Sequence, residues 1–181
     1  MTPMTIETVS RSDPRHQAGG TVYYSFLASP IGELLLTGDG DALTGIWFPD
    51  DRQTTSVDPS WQRDDGVFGE VSRQLTAYFG GELTEFQLPL HAHGTPFQQR
   101  VWEALRKIPY GVTTSYGKLA AALGDPRATR AVGLANGRNP IPIIIPCHRV
   151  IGADGSLTGY GGGMHRKQWL LALEGRALPF L

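Results

Sequence analysis

A proline-bracketed apolar run constrains the fold of this chain more than any other feature. Residues 141–145 are apolar and lie between Pro140 and Pro146. Proline has no backbone N–H and is excluded from the interior of regular sheets. The run is therefore predicted to form a short, fully buried segment that joins no central strand ladder at either end. It delivers the next residue, Cys147, to a fixed position.

Cys147 is the only cysteine among 181 residues. This count excludes an intrachain disulfide, a cysteine-rich zinc cluster and a two-thiol redox centre. The longest apolar runs are far shorter than the ~20 residues of a membrane span. The first 20 residues contain no apolar stretch of signal-peptide length. A cytoplasmic location is therefore expected.

The two halves of the chain carry opposite charge, although the formal net charge of the whole chain is −1. Residues 1–94 contain 5 Lys or Arg and 13 Asp or Glu, a net charge of −8, whereas residues 95–181 contain 11 and 4, a net charge of +7. This asymmetry indicates a C-terminal half that binds a polyanion. Mutual attraction between two oppositely charged domains is the alternative.

The N-terminal half has the pattern of a small sheet with one helix. Residues 1–20 are polar and aperiodic, and we expect a flexible tail there. Three β-rich runs separated by turn signals predict an antiparallel meander over residues 22–26, 33–37 and 43–48. Apolar residues at three- and four-residue spacing predict a helix that begins near Phe68 and stops at Gly80. Residues 85–90 are a candidate for a further strand.

A strong helix start opens the C-terminal half. Thr95 suits the N-cap, Pro96 the first helical position, and Gln98 completes a capping box. Ser115 is expected to cap a second, short helix, and a third is expected to run from Pro126 to a stop at Gly137. Two short helices joined by a glycine-containing turn have the outline of a helix-turn-helix. Small residues and arginines on the third helix suit a close approach to DNA or to a neighbouring helix, and they are Arg127, Ala128, Arg130, Ala131 and Gly133.

These patterns predict an α+β fold. We expect a tail at 1–20, an N-terminal antiparallel sheet with a helix at 21–90, a linker at 91–94 and a mainly α C-terminal domain with the helix-turn-helix at 95–181. A chain of this length buries roughly 70% of the surface exposed when unfolded, enough for a real core.

The surroundings of Cys147 favour a reactive thiol. A lone cysteine is more often a buried, inert side chain, but His148 is adjacent, Arg149 adds positive charge, and a proline-fixed turn presents the thiol. A thiol with a pKa near about 8.5 needs a base or a cation beside it to become the thiolate. A cysteine hydrolase is one alternative, although it also requires an oxyanion hole, for which the sequence offers no candidate.

Two downstream features are candidates to complete this site. A glycine-rich loop surrounds Tyr160 and lacks the Gly-Lys-Ser/Thr ending of phosphate-binding loops, so it suits a pocket for a flat ligand. A flexible connector is the alternative. Glu174 lies in the final turn of the last helix, where a carboxylate opposes the helix macrodipole. This position indicates a partner such as an activating histidine, whereas a solvated glutamate is the alternative.

One combination of motifs is highly specific. The run Pro146-Cys147-His148-Arg149-Val150, with Asn139-Pro140 before it and Gly159-Tyr160-Gly161-Gly162 after it, resembles the methylated-DNA–protein-cysteine methyltransferases, also called alkylguanine-DNA alkyltransferases. The resemblance is close over residues 95–175 and looser over 21–90. It implies irreversible transfer of an alkyl group from O6-alkylguanine in double-stranded DNA to Cys147, a suicide reaction without a cofactor. O4-alkylthymine is a further candidate substrate.

The resemblance also implies roles for individual residues. Cys147 matches the alkyl acceptor, His148 the histidine that takes its proton through a water, and Glu174 the acid that orients this histidine. Asn139 matches the asparagine that ties the recognition helix to the active-site strand. Tyr160 matches the tyrosine that donates to the flipped guanine, and the other expected substrate-binding residues are Tyr116, which crowds the DNA phosphate, Val150, Gly161 and Gly162.

The recognition helix, Ala128 to Gly137, matches one that the family places in the minor groove. Arg130 matches the arginine that enters the stack where the target base has left it. Small residues suit this narrow groove, and an inserted side chain offsets part of the cost of flipping. The remaining expected DNA-binding residues are Lys118, Arg127, Ala128, Thr129, Ala131 and Gly133.

Two comparisons with members of the family refine the expectation. Some members bind a structural zinc through cysteines and histidines of the N-terminal domain, but no cysteine precedes Cys147, so no metal is expected. A related group lacks the acceptor cysteine and only binds the lesion, which makes a non-catalytic lesion-binding module the alternative function. Cys147 places this chain with the reactive group. We expect a monomer without an obligatory protein partner.

Overall fold

The computed structural model describes residues 19–49 and 57–175. The predicted tail, residues 1–20, lies outside the described residues except for the exposed Gly19 and Gly20. The described part has the expected α+β order, with a sheet and one helix first and mainly helices after them. No helix in this part is long and apolar enough to cross a membrane.

A small sheet forms the N-terminal part. Its strands are β1 (Tyr23–Leu27), β2 (Leu34–Gly38), β3 (Leu43–Trp47) and β4 (Gln62–Arg63). β1, β2 and β3 pair antiparallel in succession, which confirms the predicted meander. β4 pairs parallel with β1 at the sheet edge. It was not predicted because its two exposed residues show no apolar alternation.

The predicted helix of the N-terminal half is confirmed as α1 (Gly69–Phe79). Its apolar stripe, which includes Leu75 and Tyr78, is buried in the same core as Leu34 and Leu36 of β2. Tyr78 is 0% exposed. The helix therefore holds a phenol hydroxyl inside the molecule, where such a group requires a hydrogen-bond partner.

The strand predicted at residues 85–90 is wrong. Within this segment, Leu90 forms one isolated bridge with Leu43 of β3. The backbone of Gln87 is satisfied by the side chain of Gln74 on α1, because Nε2 donates to Gln87 O at 3.0 Å and Gln87 N donates to Oε1 at 2.9 Å. A side chain thus replaces the ladder that a neighbouring strand would have supplied.

Four helices dominate the second half, and they are α2 (Pro96–Arg106), α3 (Tyr116–Ala122), α4 (Thr129–Gly137) and α5 (Met164–Leu173). Both hydrogen bonds of the predicted capping box between Thr95 and Gln98 are present at the start of α2. Ser115 caps α3 by accepting a hydrogen bond from Lys118 N, as predicted.

Helices α3 and α4 form the expected helix-turn-helix, with one correction at its centre. The third helix begins at Thr129 and not at Pro126, because residues 126–128 form a 3-10 turn. Asp125 stabilises this turn by accepting a hydrogen bond from Arg127 N at 3.0 Å. On the inner side, Trp102 of α2 donates to Ala135 O of α4 at 2.9 Å, which fixes α4 against the core.

The segment that contains Cys147 lies between the helix-turn-helix and the N-terminal sheet. Residues just after it form β6 (Val150–Ile151), which pairs parallel with β5 (Thr114–Ser115) at the start of α3. Before it, Pro140 O accepts a hydrogen bond from Ile46 N of β3 at 2.9 Å. Both halves of the chain therefore hold this segment in place.

Candidate active site

Cys147 opens a one-turn 3-10 helix, Cys147–Arg149, and is only 5% exposed. The preceding apolar run is buried, as predicted, and folds into a tight turn. Within it, Ile143 has a φ of 77°, in the left-handed region that is unfavourable for a β-branched side chain. Such strain persists only where the surrounding packing imposes it, and it clusters at functional sites. The thiol is thus presented from a tightly constrained backbone.

Two asparagines connect this turn to α4. Asn139, just beyond the helix, donates from Nδ2 to Ile145 O at 2.7 Å and accepts from Ile141 N at 3.0 Å, so it closes the turn from both sides. Asn136, in the last turn of α4, donates to Cys147 O at 3.4 Å. Sequence analysis singled out Asn139 but missed Asn136. The C-terminal end of α4 is therefore bonded directly to the backbone around Cys147.

His148 and Glu174 form a buried pair beside the thiol. His148 Nε2 lies 2.9 Å from Glu174 Oε1, and both side chains are at most 1% exposed. Glu174 therefore has the partner that its helical position indicated, and it is not a solvated surface residue. Because Nε2 faces the carboxylate, Nδ1 is the ring nitrogen that can accept a proton from another group. Nδ1 is buried and has no hydrogen-bond partner among the described residues.

The sequence suggested that the charge of Arg149 acts on the thiol, but the structure directs this charge to Glu174. Its guanidinium donates to Glu174, with Nε 2.9 Å from Oε2 and Nη2 2.8 Å from Oε1, and Nη1 donates to Ile108 O at 2.6 Å. A two-point contact of this kind is the strongest geometry for an arginine–carboxylate pair. The hydroxyl of Tyr78 also donates to Glu174 Oε1, at 2.6 Å.

Burial and these contacts set the protonation states. Burial raises the pKa of the Cys147 thiol to about 11, although a hydrogen bond with Asn139 and the charge of Lys167 act in the opposite direction. Burial lowers the pKa of His148, and Glu174 compensates only in part. Burial alone would raise the pKa of Glu174, but hydrogen bonds from His148 and Arg149 outweigh it and lower this pKa to about 2. At neutral pH the site therefore contains a thiol, a neutral imidazole and a carboxylate.

The glycine-rich loop forms a wall beside the thiol. The hydroxyl of Tyr160 is buried without a hydrogen-bond partner in the described part of the chain, and burial raises its pKa well above the usual value. It is therefore a neutral donor. A Cβ on Gly162 would lie 2.5 Å from the Phe48 ring and 2.9 Å from the Tyr160 ring, so only glycine allows this close approach. The neighbouring Gly161 is exposed.

Thr158 joins this loop to two other parts of the site. Its carbonyl accepts a hydrogen bond from the Tyr116 hydroxyl of α3 at 3.1 Å and another from Lys167 Nζ at 3.0 Å. Lys167 Nζ also donates to Val150 O at 2.6 Å, and burial lowers the pKa of this lysine to about 8. Sequence analysis missed Lys167, although its spacing from Leu170 and Glu174 places it on the inward face of α5.

The outer face of the helix-turn-helix carries the predicted DNA-binding residues. Lys118, Arg127, Thr129, Arg130 and Ala131 are exposed, and Ala128 and Gly133 are half-buried. Val132 and Ala135 fill the inner face, so the exposed Arg127, Arg130 and Ala131 do not serve core packing, whereas the half-buried Ala128 also packs against the core. Leu134, which sequence analysis did not assign to this face, is 59% exposed and presents an apolar side chain there.

This arrangement suits a nucleophilic thiol with a neutral base beside it and a neutral donor in the pocket wall. No group of three or more His, Cys, Asp or Glu side chains in residues 19–49 and 57–175 is arranged to hold a metal ion. A cationic, small-residue helix lies directly beyond the thiol segment. The thiol segment and this helix therefore belong to one unit.

Comparisons with known proteins agree with this arrangement over both halves. The family model described as 6-O-methylguanine DNA methyltransferase, DNA binding domain, matches residues 96–176. The one described as 6-O-methylguanine DNA methyltransferase, ribonuclease-like domain, matches residues 22–92.

Individual relatives are similar along nearly their whole length. The methylated-DNA–protein-cysteine methyltransferase of Methanosarcina acetivorans is 53% identical over 154 residues, which are 85% of this chain and 99% of the relative. That of Mycobacterium leprae is 58% identical over 146 residues, 81% of this chain and 88% of the relative. A crystal structure of Mycobacterium tuberculosis OGT in complex with DNA has a TM-score of 0.78 and 56% identity, and the match covers 84% of this chain and 92% of that one.

Proposed function

The chain belongs to the 6-O-methylguanine DNA methyltransferase family, and we propose that Cys147 is the residue by which it accepts alkyl groups from DNA. Its activity is direct DNA repair, in which an alkyl group passes from O6-alkylguanine to a cysteine of the protein itself. One observation carries the assignment to Cys147: the buried thiol is adjacent to His148, whose Nε2 is held by Glu174 while Nδ1 has no partner among the described residues.

The transfer is a one-step displacement at the alkyl carbon. The sulfur of Cys147 forms a bond to this carbon while the bond from carbon to guanine O6 breaks. The thiol proton passes through a water to His148 Nδ1, and Tyr160 gives its proton to the guanine that leaves. The proton on His148 then restores the Tyr160 hydroxyl, so that the net change is transfer of the thiol proton to guanine. The product is a thioether, which water does not readily cleave. Each chain therefore acts once.

His148 and Glu174 supply the base that this step requires. A thiol whose pKa is raised to about 11 is almost fully protonated at neutral pH, so it needs a proton acceptor. The lowered pKa of His148 keeps the imidazole neutral and able to accept. Glu174 fixes the ring through Nε2, which turns the lone pair of Nδ1 away from the carboxylate.

The glycine-rich loop is proposed as the pocket for the target base. The unpartnered buried hydroxyl of Tyr160 supports a role as donor to the guanine that leaves. Gly161 and Gly162 are proposed to let the backbone approach a flat base closely. Val150, whose carbonyl shares the donor Lys167 with Thr158 of the loop, is proposed to border the same pocket. Asn139 braces the turn before Cys147, so it acts by holding the thiol in position.

The helix-turn-helix is proposed to hold the duplex and to open it. A base whose O6 is buried in the stack must be flipped out to reach a buried thiol, at a cost of a few kcal/mol. The exposed Arg130 of α4 is proposed to fill the gap, and Tyr116 of α3 is proposed to crowd the phosphate of the flipped nucleotide. The small residues Ala128, Ala131 and Gly133 suit the narrow minor groove, and Lys118, Arg127 and Thr129 suit its phosphates.

We also propose that the protein is a monomer and needs no protein partner. It is proposed to act in the cytoplasm, where reducing conditions keep the thiol free. O4-alkylthymine is a further proposed substrate, since its alkyl group is also bonded to a ring oxygen. Neither metal nor cofactor enters the displacement described above.

Labelled DNA tests the assignment directly. A duplex with one O6-methylguanine carrying a labelled methyl group should transfer the label to the peptide that contains Cys147. Cys147→Ala should receive no label and still bind the methylated duplex in a gel-shift assay, because other residues build the pocket. Label on any other residue, or transfer by Cys147→Ala, would overturn the assignment.

A further inference from the structure

We propose that Tyr78, on α1 of the N-terminal part, is a positioning residue of the alkyl transfer: its hydroxyl shares Glu174 Oε1 with His148, so that the carboxylate orients the imidazole without holding a second proton on it. This inference rests on the proposed role of His148 as the base. It gives the N-terminal part, to which the proposal above assigns no role, a task in the chemistry.

The contact on which the inference depends is short and fully enclosed. Tyr78 Oη donates to Glu174 Oε1 at 2.6 Å, and His148 Nε2 lies 2.9 Å from the same oxygen. Tyr78 and His148 are 0% exposed, and the side chain of Glu174 is 1% exposed. Solvent therefore does not compete for this oxygen, and each donor changes how strongly the other is bound.

The carboxylate would stay in place without Tyr78. Arg149 binds both of its oxygens and is itself fixed by Ile108 O. A third donor on Oε1 is thus not needed to keep Glu174 ionised or inside the fold. The Tyr78 hydroxyl instead acts on Oε1, the oxygen that faces His148, because the positive end of the O–H dipole points at this oxygen.

The direction of this effect follows from the charges around His148. A carboxylate beside an imidazole stabilises the protonated ring, which cannot accept a proton from the thiol. The hydrogen bond from Tyr78 partly offsets the negative charge of Oε1, so the carboxylate stabilises the protonated imidazole less strongly. Nδ1 therefore stays able to accept the thiol proton. The titratable or charged groups that face His148 or its carboxylate in the described residues are Tyr78 of α1, Tyr110 after α2, Cys147 and Arg149 beside His148, Tyr160 of the glycine-rich loop, Lys167 of α5 and Glu174 at its C-terminal end.

The sequence gives no sign of this role. Tyr78 occupies an inward position of the amphipathic helix α1, between Leu75 and Phe79, where an aromatic residue needs no explanation beyond the core. Its ring does pack there, edge-on against Tyr110 at 6.1 Å between centroids. Only the structure shows that the hydroxyl reaches a carboxylate 96 positions away.

Tyr78→Phe and its control Tyr110→Phe test the inference. Each variant removes one hydroxyl from the same aromatic pair, but the Tyr110 hydroxyl donates to Leu173 O at 3.2 Å and not to Glu174. Single-turnover transfer from methylated duplex is measured from pH 5 to 9. In Tyr78→Phe the acid limb of the rate profile should move up by about 0.5 to 1 pH unit, so that transfer on that limb slows several-fold while the rate above pH 8 changes little. Tyr110→Phe should keep the parent profile.

A second readout does not depend on transfer. The imidazole of His148 is titrated by NMR in histidine-labelled protein, and its pKa should rise in Tyr78→Phe but not in Tyr110→Phe. Should Tyr78→Phe fold poorly, 3-fluorotyrosine at position 78 keeps the shape and is a stronger donor, so the acid limb should move to lower pH. An unchanged profile and titration, or a loss of rate that is equal at every pH, would show a merely structural role and overturn the inference. Failure of the proposed function would instead appear as no transfer by the parent protein.

Discussion

At the scale of single residues, the site depends on one buried carboxylate. Glu174 accepts hydrogen bonds from Tyr78, His148 and Arg149, which lower its pKa to about 2 against burial, from an ordinary value of 4.5. A carboxylate with a lowered pKa in the folded state stabilises the fold fully above its unfolded pKa. That contribution is lost as the pH falls from about 4.5 to about 2.

Glu174→Gln should therefore flatten the acid dependence of stability. The parent protein should lose about 3 kcal/mol of unfolding free energy between pH 5 and pH 2 through this group alone. The variant should be less stable than the parent at pH 6, because Arg149 stays buried without its counter-charge. Urea unfolding at several pH values measures both effects. Equal slopes against pH for parent and variant would contradict the role of Glu174 in stability.

His148→Ala tests the base at the same scale. Without an acceptor the thiol must ionise on its own, and its pKa is raised to about 11. Single-turnover transfer at pH 7 should fall by about 100-fold and should then rise steadily with pH toward 10. The parent rate should change much less over this range. A variant that retains the parent rate and profile would exclude His148 as the base.

At the scale of elements, α4 combines an exposed arginine with a helix end joined to the thiol segment through Asn136. Arg130→Ala should slow repair of a methylated duplex much more than reaction with free O6-methylguanine base, which needs no flipping. Arg127→Ala, a matched exposed arginine, should mainly weaken DNA binding and reduce its salt dependence. Single-turnover rates at saturating substrate separate the two. Equal slowing on duplex and free base would assign Arg130 to the fold or the pocket.

Elements with local signals were predictable, and those that depend on distant contacts were not. The capping box at Thr95 and the spacing in α1 fixed their helices because both are properties of adjacent residues. The strand expected at 85–90 failed because the side chain of Gln74 satisfies the backbone there. The site residues divide in the same way, into those with a local sequence signal and those that depend on distant contacts. Cys147 and His148 are marked by their motif, whereas Tyr78 and Lys167 acquire their contacts only through tertiary packing.

At the scale of the whole molecule, Arg166 of α5 joins the two parts of the chain. It is 0% exposed, donates to Ile31 O at 2.8 Å and to Gly162 O at 2.7 Å, and lies 4.3 Å from the centre of the Phe48 ring. Both carbonyls lose a donor in Arg166→Met. The free energy of unfolding of the variant, measured by urea denaturation, should be about 2–4 kcal/mol lower than that of the parent. The exposed Arg127→Met should change it by less than about 0.5 kcal/mol. A stable Arg166→Met would show that this connection is dispensable.

The central claim is that each chain repairs one lesion and keeps the alkyl group on Cys147. The most direct measurement is the intact mass of the protein, together with the amount of repaired DNA, after incubation with an excess of O6-methylguanine duplex. Every active chain should gain one methyl group, located on Cys147. Repair should stop when the molar amount of repaired DNA equals that of the protein. Repaired DNA in molar excess over protein, or chains whose mass is unchanged after repair, would contradict the central claim.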